Sequence, residues 1–152
     1  MKPGIYLKEI WSDDDIVELK IESFDGKSLF SANMYIGRQG LMYGGQQSLK
    51  DLIDTLTVFK DQVNGGICDI QMGAFGPEYA NGAFHARLHF HHHSKIHITV
   101  EAESGFEDFG TKNVAGRATL YLITEPVLLD NFIVELKMLS SGSRDEAKLE
   151  AE

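Results

Sequence analysis

Apolar and polar residues alternate with a period of two along much of the chain, and two segments break to a helical period. From Ile16 to Ser23, Val17, Leu19 and Ile21 fall on one side and Glu18, Lys20 and Glu22 on the other, the signature of a half-buried strand. Asp25-Gly26 reads as a two-residue turn. The next run, Leu29 to Ile36, places Phe30, Ala32, Met34 and Ile36 together. A two-residue turn sets residues 24 and 27 opposite each other. Ile21 then meets Phe30, Leu19 meets Ala32 and Val17 meets Met34, with apolar faces matched.

Gly37 to Gly45 reads as a glycine-rich loop. Ser48 with Asp51 forms a capping-box pattern, and Leu49, Leu52, Ile53, Leu56, Phe59 and Val63 follow at helical spacing. Asn64-Gly65-Gly66 is the expected stop. Ile67 to Ala74 alternates again, with Cys68, Ile70 and Met72 sharing a face. Ser104 to Val114 reads as a loop, and Ala115 to Ile123 as a strand carrying Ala118, Leu120 and Leu122. Pro126 stands at the first position of a second helix whose stripe is Leu128, Leu129, Phe132, Ile133, Leu136 and Leu139; Gly142 ends it. Ile5 to Trp11 is a candidate extra strand. The expected fold is α+β: an antiparallel sheet of about six strands with two helices on one face, in the order ββαββββα. Residues 1–142 form the expected single domain, and residues 143–152 a flexible charged tail.

All six histidines fall between His85 and His97. Phe84, Ala86, Leu88 and Phe90 share one face of a strand; His85, Arg87, His89 and His91 share the other. In the following strand Ile96, Ile98, Val100 and Ala102 are apolar, opposed by Lys95, His97, Thr99, Glu101 and Glu103. A three-residue loop, His92 to Ser94, pairs His91 with Lys95, His89 with His97, Arg87 with Thr99 and His85 with Glu101. A longer loop that moves the register by two residues stays open.

Three readings of this polar face compete. It is a solvent-facing or partner-facing sheet surface, a pH-sensitive one, or a metal site. Histidine changes charge between about pH 5 and 8, which gives the second reading its basis. Zinc takes three or four ligands, and His89, His91, His97 and Glu101 supply that number. The same spacing arises on any alternating strand with polar histidines, and Arg87 and Lys95 on the same face repel a cation.

Charge narrows the function. The formal net charge is -9 over 152 residues. The 14 basic residues are scattered, which argues against nucleic acid; an acidic surface favours a basic protein partner. No apolar run has the length of a membrane span or a signal-peptide core, so a cytoplasmic location is expected. Cys68 is the one cysteine and is expected to be a small buried residue. There is no GxSxG, GxxxxGK[ST] or HExxH motif, and Gly37, Gly40, Gly44 and Gly45 do not form a dinucleotide fingerprint. Asp13-Asp14-Asp15 reads as a solvated turn. No cofactor is expected.

The combination of an opening hairpin, VELKIESFDGKSLFSANMYI, a leucine-rich helix, SLKDLIDTLTVF, a polar strand pair, HARLHFHHHSKIHITVEAE, and a closing EPVLLDNFIVELKML resembles small bacterial α+β proteins of the WapI-like immunity protein type. The likeness covers most of residues 15–140; the histidine run departs from the group's hairpin. The resemblance implies an antidote to a toxin that works through a surface and carries no shared active site. The function expected is therefore that of a non-catalytic acidic binding protein. Its candidate contacts are His85, Arg87, His89, His91, His97 and Glu101, and a second set Phe106, Glu107, Asp108 and Phe109, an aromatic pair among acids. The alternative is a small metal-dependent hydrolase built on the histidine hairpin. A homodimer through an exposed sheet edge is a further expectation.

Overall fold

The computed structural model describes residues 1–39, 47–76, 79, 81–91 and 94–152. Within them the order is β1 (Gly4–Ser12), β2 (Ile16–Phe24), β3 (Leu29–Gly37), α1 (Leu49–Phe59), β4 (Ile67–Gly73), β5 (Asn81–His91), β6 (Lys95–Gly105), β7 (Glu107–Phe109), β8 (Lys112–Val114), β9 (Arg117–Thr124), α2 (Pro126–Ser141) and β10 (Glu146–Glu150). The chain is α+β and antiparallel, but the strands do not make one sheet of six. They make two four-stranded sheets, ordered β10-β1-β2-β3 and β4-β5-β6-β9, and a separate β7-β8 ribbon. Alternation assigns a residue to a face and says nothing of how strands divide between sheets. The chain changes sheet at each helix: α1 separates β3 from β4, and α2 separates β9 from β10, which returns to the first sheet.

Each sheet buries one phase of its alternation, and both sheets and both helices contribute to one continuous core. Phe59 of α1 stacks on Phe90 of β5, ring centres 4.8 Å apart. The helices pack on each other, with α1 beside β4 and α2 along β10. Ser48 and Asp51 form the expected reciprocal cap of α1. That helix ends at Phe59, short of Val63 and the Asn64-Gly65-Gly66 stop. Pro126 opens α2, and Gly142 closes it in the left-handed conformation.

The first hairpin keeps its faces but shifts by two residues: Val17 faces Ile36, Leu19 faces Met34 and Ile21 faces Ala32. Turn chemistry is the cause. The Asp25 carboxylate accepts the N–H groups of Lys27 and Ser28, at 2.8 and 2.7 Å, which closes a four-residue loop in place of the two-residue turn. Asp13 does the same for Asp15 and Ile16, so the acidic triplet is a turn, and those N–H groups lower the Asp13 carboxyl from its ordinary value.

Residues 143–152 are not a mobile tail. β10 pairs with β1, Ala147 opposite Leu7 and Leu149 opposite Ile5, and both β10 side chains are buried. Ile5 and Leu7 are short of a neighbour without it. Ser104–Val114, read as one loop, contains the end of β6 and the β7-β8 ribbon. Most of the loop expected at 37–45 lies outside the described residues. No helix among the described residues is long and apolar enough to cross a membrane.

Candidate functional site

The two strands that carry the histidines are the central pair of the second sheet, and their register is the one the three-residue loop requires. His85 faces Glu101, Arg87 faces Thr99, His89 faces His97 and His91 faces Lys95. Leu88, Phe90, Ile96 and Ile98 point into the core, so the other phase points out. Arg87, His89, His91, His97 and Glu101 are exposed and His85 is half-buried. His92 and His93 lie outside the described residues.

Flanking strands complete the face. β4 and β9 extend each row to four residues: Ile67-His89-His97-Ile123, then Asp69-Arg87-Thr99-Tyr121, then Gln71-His85-Glu101-Thr119. Asp69 organises the middle. Its Oδ1 lies 2.9 Å from both His85 Nε2 and Arg87 Nε. Arg87, and then His85, holds the Asp69 carboxyl below its ordinary value, and Asp69 in turn raises Arg87. At one end Lys95 donates to Glu125 at 2.8 Å and to Glu152, which keeps its ammonium charged. The rings of His91 and His97 meet edge-on at 5.0 Å, with His89 6.4 Å from His91. At the other end the face is closed: Glu103, 4% exposed, accepts the Gly76 N–H at 3.1 Å and faces Arg117 Nε at 3.2 Å, while Arg117 lies 5.5 Å over the Phe75 ring.

The four alternative ligands are not gathered. His89, His91 and His97 cluster, but Glu101 is four residues from His97 along β6, about 13 Å at strand rise, and sits opposite His85. Among the described residues no group of three or more His, Cys, Asp or Glu side chains is placed to hold a metal ion. Cys68 is buried against β5, and desolvation pushes its thiol up to about 12.

The second set of candidates divides. Glu107, Asp108 and Phe109 lie on β7 and are exposed, Phe109 by 75%. Phe106 is half-buried beside Tyr35, Asn33 and Asn81, on a groove of about 450 Å³. Ile67, Asp69, Tyr121 and Ile123 were absent from the sequence-derived set. Each occupies the outward phase of its own strand, a readable signal, but only sheet order brings them beside the histidines.

No protein-family model, curated protein or solved structure matches this chain.

Proposed function

We propose that this is a non-catalytic binding protein of the bacterial cytoplasm that engages a basic protein partner, as an immunity protein engages a toxin domain. Its contact surface is the outer face of the β4-β5-β6-β9 sheet, with the β7-β8 ribbon as a second contact. One observation carries the reading: large apolar side chains stand uncovered among the ionic ones. Ile67 is 56% exposed beside the Asp69-His85-Arg87 cluster, and Tyr121 is 72% exposed on the same face, one strand beyond Thr99. Exposed aromatic and aliphatic anchors ringed by polar groups are the composition of an interface. The net charge of -9 favours a basic partner through steering.

The test is calorimetric titration of a basic partner identified by capture from the source lysate. Tyr121→Ser and Phe109→Ser, one on each proposed contact, should each weaken binding at least about tenfold, and added salt should weaken the wild type. Affinity indifferent to both substitutions overturns the reading. So does stoichiometric metal in protein purified without nickel resin and lost in a His89→Ala, His97→Ala variant, which establishes the hydrolase alternative's premise.

A further inference from the structure

Two sheets have four edges, and the chain treats them differently. On β10 the Lys148 N–H is taken by the Glu135 carboxylate at 2.9 Å and the Glu150 carbonyl by the Thr124 hydroxyl at 2.6 Å. On β4, Gln47 occupies the edge: its Oε1 accepts the Gln71 N–H at 2.8 Å, and its own N–H reaches the Gln71 carbonyl at 3.4 Å. On β3 the Asn33 carbonyl is backed by Gly82, where a Cβ would come within 2.2 Å of that oxygen. An incoming strand has no room along the middle of that edge.

Among the described residues, β9 is covered only at Ile123. The Ile123 carbonyl accepts the Glu152 N–H at 2.8 Å, so the main-chain groups of Ile123 point away from β6. Backbone direction alternates along a strand, so those of Tyr121 and Thr119 point the same way. No described residue hydrogen-bonds to them. Two N–H donors and two carbonyl acceptors therefore stand in a row, next to an exposed tyrosine. An edge of this kind is a template for another strand.

We infer that the β9 edge pairs with the β9 edge of a second copy, joining two β4-β5-β6-β9 sheets into one of eight strands. The edge is self-complementary. Antiparallel pairing about Leu120 sets Thr119 of one copy opposite Tyr121 of the other, and the reverse. Four hydrogen bonds then satisfy all eight groups, and the Ile123 carbonyl keeps its own partner. The two-fold axis preserves faces, so Thr119 and Tyr121 meet across the outer surface, a favourable β-branched and aromatic pair. No residue from Ala118 to Thr124 is charged, so a chain of net charge -9 sets no like charges against each other at the axis. Lysine, glutamate and proline, the usual means of blunting an edge, are missing from the whole segment. This inference does not rest on the proposed function, since the partner contact uses a face and the copy uses an edge.

Light scattering across micromolar to sub-millimolar concentrations tests it. The wild type should rise toward twice 16.9 kDa. Thr119→Lys/Tyr121→Lys, on exposed positions, should stay at the single-chain mass with unchanged circular dichroism. Tyr121→Pro should do the same, because it deletes an N–H that β6 does not use. Val127→Lys/Asn131→Lys, which adds the same charge on exposed positions of α2, should still dimerise. A wild type of single-chain mass at every concentration overturns the inference, as does a dimer that survives both β9 variants.

Discussion

A substitution scan along β5 should give a sawtooth in stability. Leu88 is fully buried and Phe90 nearly so, and each alternates with a residue on the open face. Leu88→Ala removes buried atoms and leaves a cavity, at a cost of about 2–5 kcal/mol; Phe90→Ala costs about 3–5 kcal/mol. Part of the Phe90 loss is its stack on Phe59, worth about 0.5–1.5 kcal/mol in a double-mutant cycle with Phe59→Ala. His89→Ala, one residue away from both, touches no core and should fall within about 0.5 kcal/mol. Arg87→Ala breaks an exposed pair with Asp69 and should cost far less than Leu88→Ala. In urea, at a slope of about 2 kcal/mol per molar, the Leu88 variant moves the midpoint by roughly 1–2.5 M and the His89 variant by less than about 0.3 M. Equal losses at Leu88 and His89 would mean that the histidine face is covered, and would refute its assignment as an open surface.

Three further outcomes are expected. Ending the chain after Gly142 removes β10 with its buried Ala147 and Leu149, and should cost at least as much as Leu149→Ala, about 2–5 kcal/mol by urea unfolding; an unchanged midpoint would restore the tail as a passive segment. The Cys68 thiol is raised to about 12, so its contribution to stability is complete below the unfolded value near 8.5 and is lost as pH climbs toward 12, at up to about 1.4 kcal/mol per unit. Cys68→Ala should therefore lose stability less steeply across that window, and disulfide reagents should label the native thiol only through unfolding. Asp69 is held below its ordinary value by Arg87 and His85, so its contribution is present above about pH 4 and is lost as pH falls through the folded value. Asp69→Asn should flatten the acid limb of a stability profile by under about 1 kcal/mol, since the pair is exposed; an unchanged limb counts against the cluster.

Local pattern carried most of the elements because the inward phase of each strand of the second sheet is almost wholly apolar, whatever its outward phase carries. The β5-β6 register followed from parity and loop length, and the structure repeats it pair for pair. The first hairpin kept its parity and missed its register, because the Asp25 carboxylate closes a longer loop than the dipeptide suggests. β10 was illegible for a different reason. It has two core residues among charges, and its partner β1 lies at the far end of the chain, so no local signal marks the pairing. The same gap hid half of the candidate face. Tyr121 and Ile67 are visible as outward residues of their strands, but only the order β4-β5-β6-β9 makes them neighbours of the histidines.

Openness at β9 and openness on the outer face have different physical roots. A backbone N–H or carbonyl left to water is satisfied there and becomes costly only when another chain buries it unpaired; an apolar side chain left to water gains when a partner covers it. The fold supplies Gln47, Glu135 and Thr124 as hydrogen-bond partners where an edge abuts its own helices or termini. Among the described residues it supplies none along Thr119 and Tyr121. Tyr121 belongs to both surfaces, through its backbone to the edge and through its ring to the face. A Tyr121→Phe substitution therefore separates them: it keeps the edge donors and acceptors and should leave the doubled mass intact. A partner that hydrogen-bonds the phenol should then bind more weakly, while one that packs only on the ring should not.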